Sequence, residues 1–313
     1  MNRLAQFLQY TSKVFELQRL LRSVREGRSE PHVPRLPLVL CLVLGVVTRI
    51  SNVFAHLSGP KIHIVLDIEP IHPGEDECAA ALRLLGRLRR IYGPRFFDGI
   101  SADAWYAKGP FLRAVDKLGW WWIVVLKRED MEVYQEALQL SRGQRPCATF
   151  RDEPRDRQVQ LWEVKDLHFS DGCTQNQPVA VVISDERWTE RRVVGGQKCV
   201  KPQQSRWRWV ACEDLGAYLA EVIYQGGHRR WGIENQAFNE LTQSYHLTHC
   251  YHHDPTSMLV QMLILIFGFA RFTAFALHSQ WVRLEKLTLK ALAHQLDLAL
   301  EEDLPWTLWF HSG

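Results

Sequence analysis

Short apolar runs alternating with helical patterns are what most limits the fold of this chain. Lys61 to Ile68 (KIHIVLDI) reads as a buried strand, rich in Ile and Val and bounded by Gly59-Pro60 and Pro70. A helix follows, opened by the acids of Gly74-Glu75-Asp76-Glu77 and turning Leu82, Leu85 and Leu88 inward. Phe96 to Ala102 (FFDGISA) and Trp120 to Leu126 (WWWIVVL) are two further strands. Strands that alternate with helices argue an α/β core with a partly parallel sheet. Between Lys127 and Asp214 the texture changes to short β-rich pieces, Val159 to Val164, Val179 to Ser184 and Trp207 to Cys212, separated by polar stretches.

Helices flank this core. Met1 to Gly27 places Leu4, Phe7, Leu8, Val14, Phe15, Leu21 and Val24 in helical register with arginines opposite, and a second helix is expected over Leu38 to Phe54. The resulting division is a helical N-terminal module over 1–58, the first part of the core over 59–128, a β-rich insertion over 129–214 and C-terminal helices over 215–313. The stretch Met258 to Leu277 is long enough to cross a bilayer, but it contains Gln261 and Arg271 and reads as a core helix. The seven scattered cysteines include no C-x-x-C pair, and no secretory leader is visible, so a reducing cytoplasm and no membrane partner are expected.

The net charge of +3 is small, but it is unevenly spread. Met1 to Lys61 holds nine Lys and Arg against three Glu, a local surplus of +6. Arg187 to Arg208 holds Arg187, Arg191, Arg192, Lys198, Lys201, Arg206 and Arg208 against Glu190 alone, with Trp188, Trp207 and Trp209 in or beside the run. Cations for phosphates beside aromatic faces for unstacked bases suit a nucleic acid that is being opened, and an exposed strand pair is the plainer alternative.

Two carboxylates stand out. Glu234 shares a helical face with Ala237, Phe238, Leu241 and Tyr245, where an acid loses hydration unless a metal ion or a buried arginine meets it. Arg230 lies one turn earlier, so a surface Arg–Glu pair is the simpler reading. Asp103 follows the strand Phe96 to Ala102, and strand carboxyl ends are where ligand groups collect, although an N-cap is a routine job for such an aspartate. His246, His249, Cys250, His252 and His253 invite comparison with zinc ligands but lack a second pair at finger spacing.

The phrase RRWGIENQAFNEL followed by LTHCYHHDP, with Arg230, Glu234 and Asn235 at its centre, resembles the C-terminal signature of DDE transposases of bacterial insertion sequences, in the IS-four-type group. That signature is tyrosine, two residues, arginine, three residues, glutamate, six residues, lysine. Here Gly227 stands where the tyrosine falls and Leu241 where the lysine falls, as in a subgroup variant or a decayed copy. The resemblance runs from about Leu36 to Phe275. It implies an RNase H-like mixed sheet with a β insertion and a helical N-terminal module contacting transposon ends. Asp103, with Tyr106 close behind, and Glu234 match the second and third metal acids, implying Mg²⁺ or Mn²⁺. Arg230, Arg191, Arg192, Lys198, Lys201, Arg206, Arg208, Trp207 and Trp209 become the candidate DNA contacts. Transposon-end DNA, target DNA and a second copy of the chain are the implied partners.

The first acid is harder to place. A two-ion site needs three carboxylates, and no Asp occurs before Asp67. In the resembled family two strands precede the one reading KIHIVLDI, and the first carries that acid. An internal deletion of both is therefore expected, with Asp67 as the nearest stand-in. The expected function is metal-dependent cleavage and strand transfer in DNA transposition, and the alternative is a non-catalytic DNA-binding remnant or inhibitor of transposition.

Overall fold

The computed structural model describes residues 6–16 in part, 52–58, 63–72, 74–171, 174–194, 197–217, 220–231, 239–245, 254–279, 282 and 284–301; at some of these, among them 52–58, 191–194 and 197–198, it describes the backbone alone. Its contacts divide into two compact units, His72–Gly232 and the combination of Met1–Ile71 with Ile233–Gly313.

Strand β1 (Asn52–Ser58) pairs antiparallel with β2 (His63–Pro70). The expected helix Leu38 to Phe54 is corrected at its end, because Asn52, Val53 and Phe54 lie in β1, while its earlier residues fall outside the described ones. The direct passage from helices into the KIHIVLDI strand is corrected too. One antiparallel strand does precede it, though NVFAHLS brings no acid. A bulge skips Leu66 in the pairing, Ala55 facing Asp67 and His56 facing Val65. The extra residue lets Val65 and Ile68 both be buried despite their odd spacing, and Asp67, in regular alternation with Ile68, takes the opposite face.

The unit His72–Gly232 opens with helix α1 (Glu77–Tyr92), capped by Asp76, whose carboxylate accepts from the Cys78 amide at 3.2 Å. It continues through β3 (Gly99–Ala102), a 3₁₀ turn (Ala104–Tyr106), α2 (Gly109–Lys117), β4 (Trp121–Val125), α3 (Glu132–Ser141), β5 (Ala148–Asp152), β6 (Arg157–Asp171), β7 (Thr174–Val194), β8 (Gln197–Cys212) and α4 (Ala220–Arg229). The six strands form one sheet in the order β3-β4-β8-β7-β6-β5, with β3 and β4 parallel and every other neighbour antiparallel. The partly parallel sheet is as expected. The β-rich pieces are not a sheet apart from it: β8 hydrogen-bonds to β4 through Ile123–Ala211, Val124–Val210 and Val125–Trp209, so the stretch 148–212 extends the core sheet. Strand β3 is shorter than the sequence suggests. Phe96 and Phe97 precede it and pack with Tyr92, Phe97 also meeting the Trp120 ring edge-on at 5.5 Å. Val115, Leu112, Trp122, Ile123 and Val124 are wholly buried beneath α2 and β4.

In the other unit, α5 (Asn239–Ser244), α6 (Pro255–His278) and α7 (Leu289–Glu301) follow. Val65 and Ile68 of β2 pack with Leu241, Met262, Leu265, Ile266 and Phe269. Further along α6, Phe272, Phe275 and Ala276 pack with Val282, Leu292 and Leu296. Phe7 and Tyr10, in the helical stretch near the amino end, set their rings against Phe275 at 5.2 and 5.7 Å. Residues Thr256–His278 are long and apolar enough to cross a membrane, with mean hydropathy 1.9, yet α6 spends its apolar side on these two clusters. Arg271 is buried beside the Phe267 ring, and burial pushes its guanidinium down to about 10.

Candidate functional site

Asp103 sits where β3 ends and begins the 3₁₀ turn. Its carboxylate accepts from the Ala104 amide at 2.7 Å, and its carbonyl accepts from the Tyr106 amide at 3.0 Å. The turn is fastened to the start of α1, since the Tyr106 hydroxyl donates to Glu77 at 2.6 Å and its ring leans on Phe111 at 4.9 Å. Asp103 is therefore the cap that its position allows, and the same cap aims a carboxylate with 41% side-chain exposure off the strand end. Partial burial raises its pKa, but the Ala104 hydrogen bond and the charges of Arg230 and Lys127 outweigh that and hold it below the usual carboxylate range. Lys127 Nζ stands 3.5 Å away. Asp103 is an ionised acid at neutral pH.

Arg230 comes to Asp103 from α4, and the two glycines of GGHRRW determine how closely that helix lies on the sheet. A side-chain carbon at Gly226 would come within 2.6 Å of the Ile123 side chain, and one at Gly227 within 2.2 Å of the Trp209 indole nitrogen. A tyrosine at position 227, as in the signature, would collide with the Trp209 ring in this packing. Two buried polar contacts then fix the helix lengthwise. The Tyr224 hydroxyl donates to Asp152 at 2.8 Å, and His228 Nε2 lies 2.7 Å from Glu186, a carboxylate with no exposure that also takes Ser184 at 3.0 Å and Arg157 at 2.5 Å. Beyond the helix, the Arg230 guanidinium lies over Trp231 at 5.4 Å, and Trp231 meets Trp207 edge-on at 5.5 Å.

The other expected residues are scattered. Glu234 and the cluster His246 to His253 lie outside the described residues, as do the side chains of Arg191, Arg192 and Lys198. Lys201 is exposed; Arg206 is exposed beside Asp185; Arg208 lies over the Tyr134 ring at 4.6 Å. Trp209 is 1% exposed and packed on Tyr224 and His228, so the expectation that it stacks an unpaired base is corrected: it is core. Trp207 is half-buried in the same aromatic group. Trp188, under the Arg157 guanidinium at 4.2 Å, lines an open groove of about 850 Å³ with Arg151, Arg187, Gln158 and Gln204. Asp67 belongs to the other unit, where its carboxylate accepts from its neighbour's amide, Ile68 N, at 2.8 Å. Among the described residues no three His, Cys, Asp or Glu side chains group as metal ligands.

Sequence reasoning missed Lys127, Glu186, His228 and Asp152. Glu186 and His228 are 42 positions apart, and Tyr224 and Asp152 are 72 apart, so no local spacing links them. The doubled glycine before Arg230 was the one available signal, since adjacent glycines in a helix cost stability unless something needs the space.

An ionised aspartate at the end of a parallel strand, next to an arginine and a lysine, lies within a mixed α/β sheet that is consistent with an RNase H-like core. The chain belongs to the transposase DDE domain family, whose model matches residues 58–268. Its function lies in DNA transposition, within a divalent-metal-dependent family that binds transposon DNA. Comparison with curated proteins gives no significant match.

Proposed function

We propose that Asp103 and Glu234 hold Mg²⁺ or Mn²⁺ and that Arg230 contacts the phosphate being cleaved at a transposon end. The observation that carries this reading is the ionised Asp103 carboxylate, half-exposed at a strand end and electrostatically coupled to Arg230. Such a carboxylate fits a hard divalent ion, which prefers anionic oxygen and keeps some of its water. When bound, a metal pair activates the attacking hydroxyl and stabilises the leaving oxygen. Lys127 and Arg230 balance the Asp103 charge before the ion arrives and hold a DNA phosphate after it.

The DNA grip comes from the basic strand pair carrying Arg191, Arg192, Lys198, Lys201 and Arg206, with Arg187 and Trp188 at the groove. Transposon-end DNA, then target DNA, are the substrates, and a homodimer assembles on them. Phosphate contacts dominate such affinity, so Asp103→Ala protein retains salt-dependent duplex binding. Binding that is equally weak in parent and variant, with no salt dependence, would remove this reading.

A second reading rests on the acids. No Asp precedes Asp67, and β1, the strand ahead of β2, carries none. A chain lacking the acid-bearing strand cleaves feebly or not at all and acts as a DNA-binding remnant or an inhibitor of an intact transposase. The test is a supercoiled plasmid bearing the element's ends, incubated with each metal alongside Glu234→Ala. End cleavage that disappears in Glu234→Ala defeats the inactive reading, and Asp67→Ala then reports whether Asp67 is the third acid.

A further inference from the structure

Trp105 is the only largely exposed tryptophan among the described residues, at 56%, and it occupies the middle of the turn that Asp103 caps. Its surroundings hold it in place. The next residue, Tyr106, points inward and is bonded to Glu77, which anchors the turn. Lys108 places its ammonium 4.0 Å from the Trp105 ring centroid and also pairs with Asp76 at 3.0 Å. The Trp105 side chain also lies close enough to Asp76, the residue that caps α1, to help hold that carboxyl below its usual range, after the Cys78 amide and Lys108. A wide aromatic surface is thus covered on one face by a cation and left open elsewhere.

Folding alone does not call for this arrangement. Turning such a ring inward would recover the hydrophobic gain of a large side chain, and here it stays outward beside the Lys108 ammonium instead. Two residues before it stands the ionised Asp103, with Lys127 3.5 Å from that acid and Arg230 within electrostatic reach. An exposed aromatic plane with one cation on its face and two more at the neighbouring acid matches one ligand chemistry, a flat base attached to an anionic backbone.

We propose that Trp105 and Lys108 form a stacking shelf for an unpaired DNA base next to the phosphate at Asp103. The shelf rests on the DNA-cleavage reading above and adds to it a single-stranded substrate at the acid itself. Trp105 supplies the stacking face, Lys108 stiffens the ring and attracts the adjoining phosphate, and Tyr106 and Asp76 keep the shelf in register with the acid. A base held there leaves its own duplex partner unpaired, so the strand presented to Asp103 is already separated.

The experiment uses the full chain and a short labelled DNA oligonucleotide, single-stranded and as a blunt duplex, followed by fluorescence anisotropy at two salt concentrations. Trp105→Ala weakens single-strand binding about tenfold or more, Trp105→Phe restores most of it, and blunt-duplex binding stays near that of the parent. The ring is exposed, so the melting temperature of both variants stays close to the parent's, which separates a lost shelf from a lost fold. Unchanged single-strand affinity in Trp105→Ala, or equal losses on both DNAs, overturns the shelf and leaves the DNA-cleavage reading standing. A parent that binds neither DNA overturns both.

Discussion

Helix α4 on the six-stranded sheet and helix α6 on β2 solve the same packing problem in opposite ways. Around α6 the contacts are apolar side chains of similar size, Val65, Ile68, Met262, Leu265, Ile266 and Phe269. Contacts of that kind stabilise without fixing register, since neighbouring rotamers and isosteric replacements fill the same space. Around α4 two glycines bring the helix against Ile123 and Trp209, and the buried pairs Tyr224–Asp152 and His228–Glu186 set its position along the sheet. A buried hydrogen-bonded charge adds little net stability but tolerates no slippage, because a shift of one residue leaves it unpaired. Helix α4 is the element that leads to Arg230, whose charge acts on Asp103, so the stringent contact lies beside the proposed site.

The largest effect that tests this contrast is expected from Glu186→Ala, which leaves His228 and Arg157 facing a buried gap. The loss should be about 3–5 kcal/mol, read from urea denaturation by circular dichroism. A loss below about 1 kcal/mol would show that the α4 contact is not fixed by its charges. In the apolar region Leu265→Ala should cost about 2–5 kcal/mol, with Leu265→Met recovering all but about 1.5 kcal/mol. If Leu265→Met is as damaging as Leu265→Ala, the apolar packing is as exacting as the polar and the contrast collapses.

Gly227→Ala comes next, at about 1–3 kcal/mol, because the added carbon meets the Trp209 ring. Trp209→Phe in the same chain should cost less than the two separate losses added, and simple additivity would show that the ring and the glycine are independent.

The smallest effect is one of pH. Burial lowers the His228 pKa, with Arg155 and Arg157 adding to it, and this outweighs the attraction of Glu186. The unfolded chain therefore takes up a proton below about pH 6.5 that the folded chain resists, and stability declines as pH falls through that range. For Glu186, burial acts upward but the bonds from His228, Arg157 and Ser184 win, so its contribution is present at neutral pH and lost as pH drops below the ordinary glutamate value. Urea midpoints at pH 7.5 and 5.5 should differ more for the parent than for His228→Gln. Equal differences would assign the pH response to other groups.

The same contrast explains what was legible in the sequence. Strands β2, β3 and β4, helix α1 and helix α6 follow from apolar periodicity and turn residues, which are local. The place of Asp103 at the end of β3 was legible because a strand end is also local. The burial of Trp209 was not: beside Arg206 and Arg208 it reads as part of a basic surface, and only the return of α4 over β8, with Gly227 against the ring, makes it core. Likewise Glu186 lies within a charged run, and its burial depends on a histidine that arrives from a distant helix. Trp105 and Tyr106 are adjacent aromatics whose opposite fates are decided by Glu77 and Lys108.

The hairpin of β7 and β8 outgrows the sheet that supports it. The last rung that β6 shares with β7 is Gln158–Arg187, while β7 and β8 go on pairing from Trp188–Gln203 to Val194–Gln197. Those seven rungs, at about 3.3 Å each, carry the ribbon roughly 23 Å beyond its flanking strand. One turn of duplex DNA rises about 34 Å. With this ribbon as the proposed grip on DNA, it is a yardstick of about two-thirds of a turn, and adding or removing a pair of rungs would move the proposed contact along a helix by about two base pairs without altering the sheet it grows from.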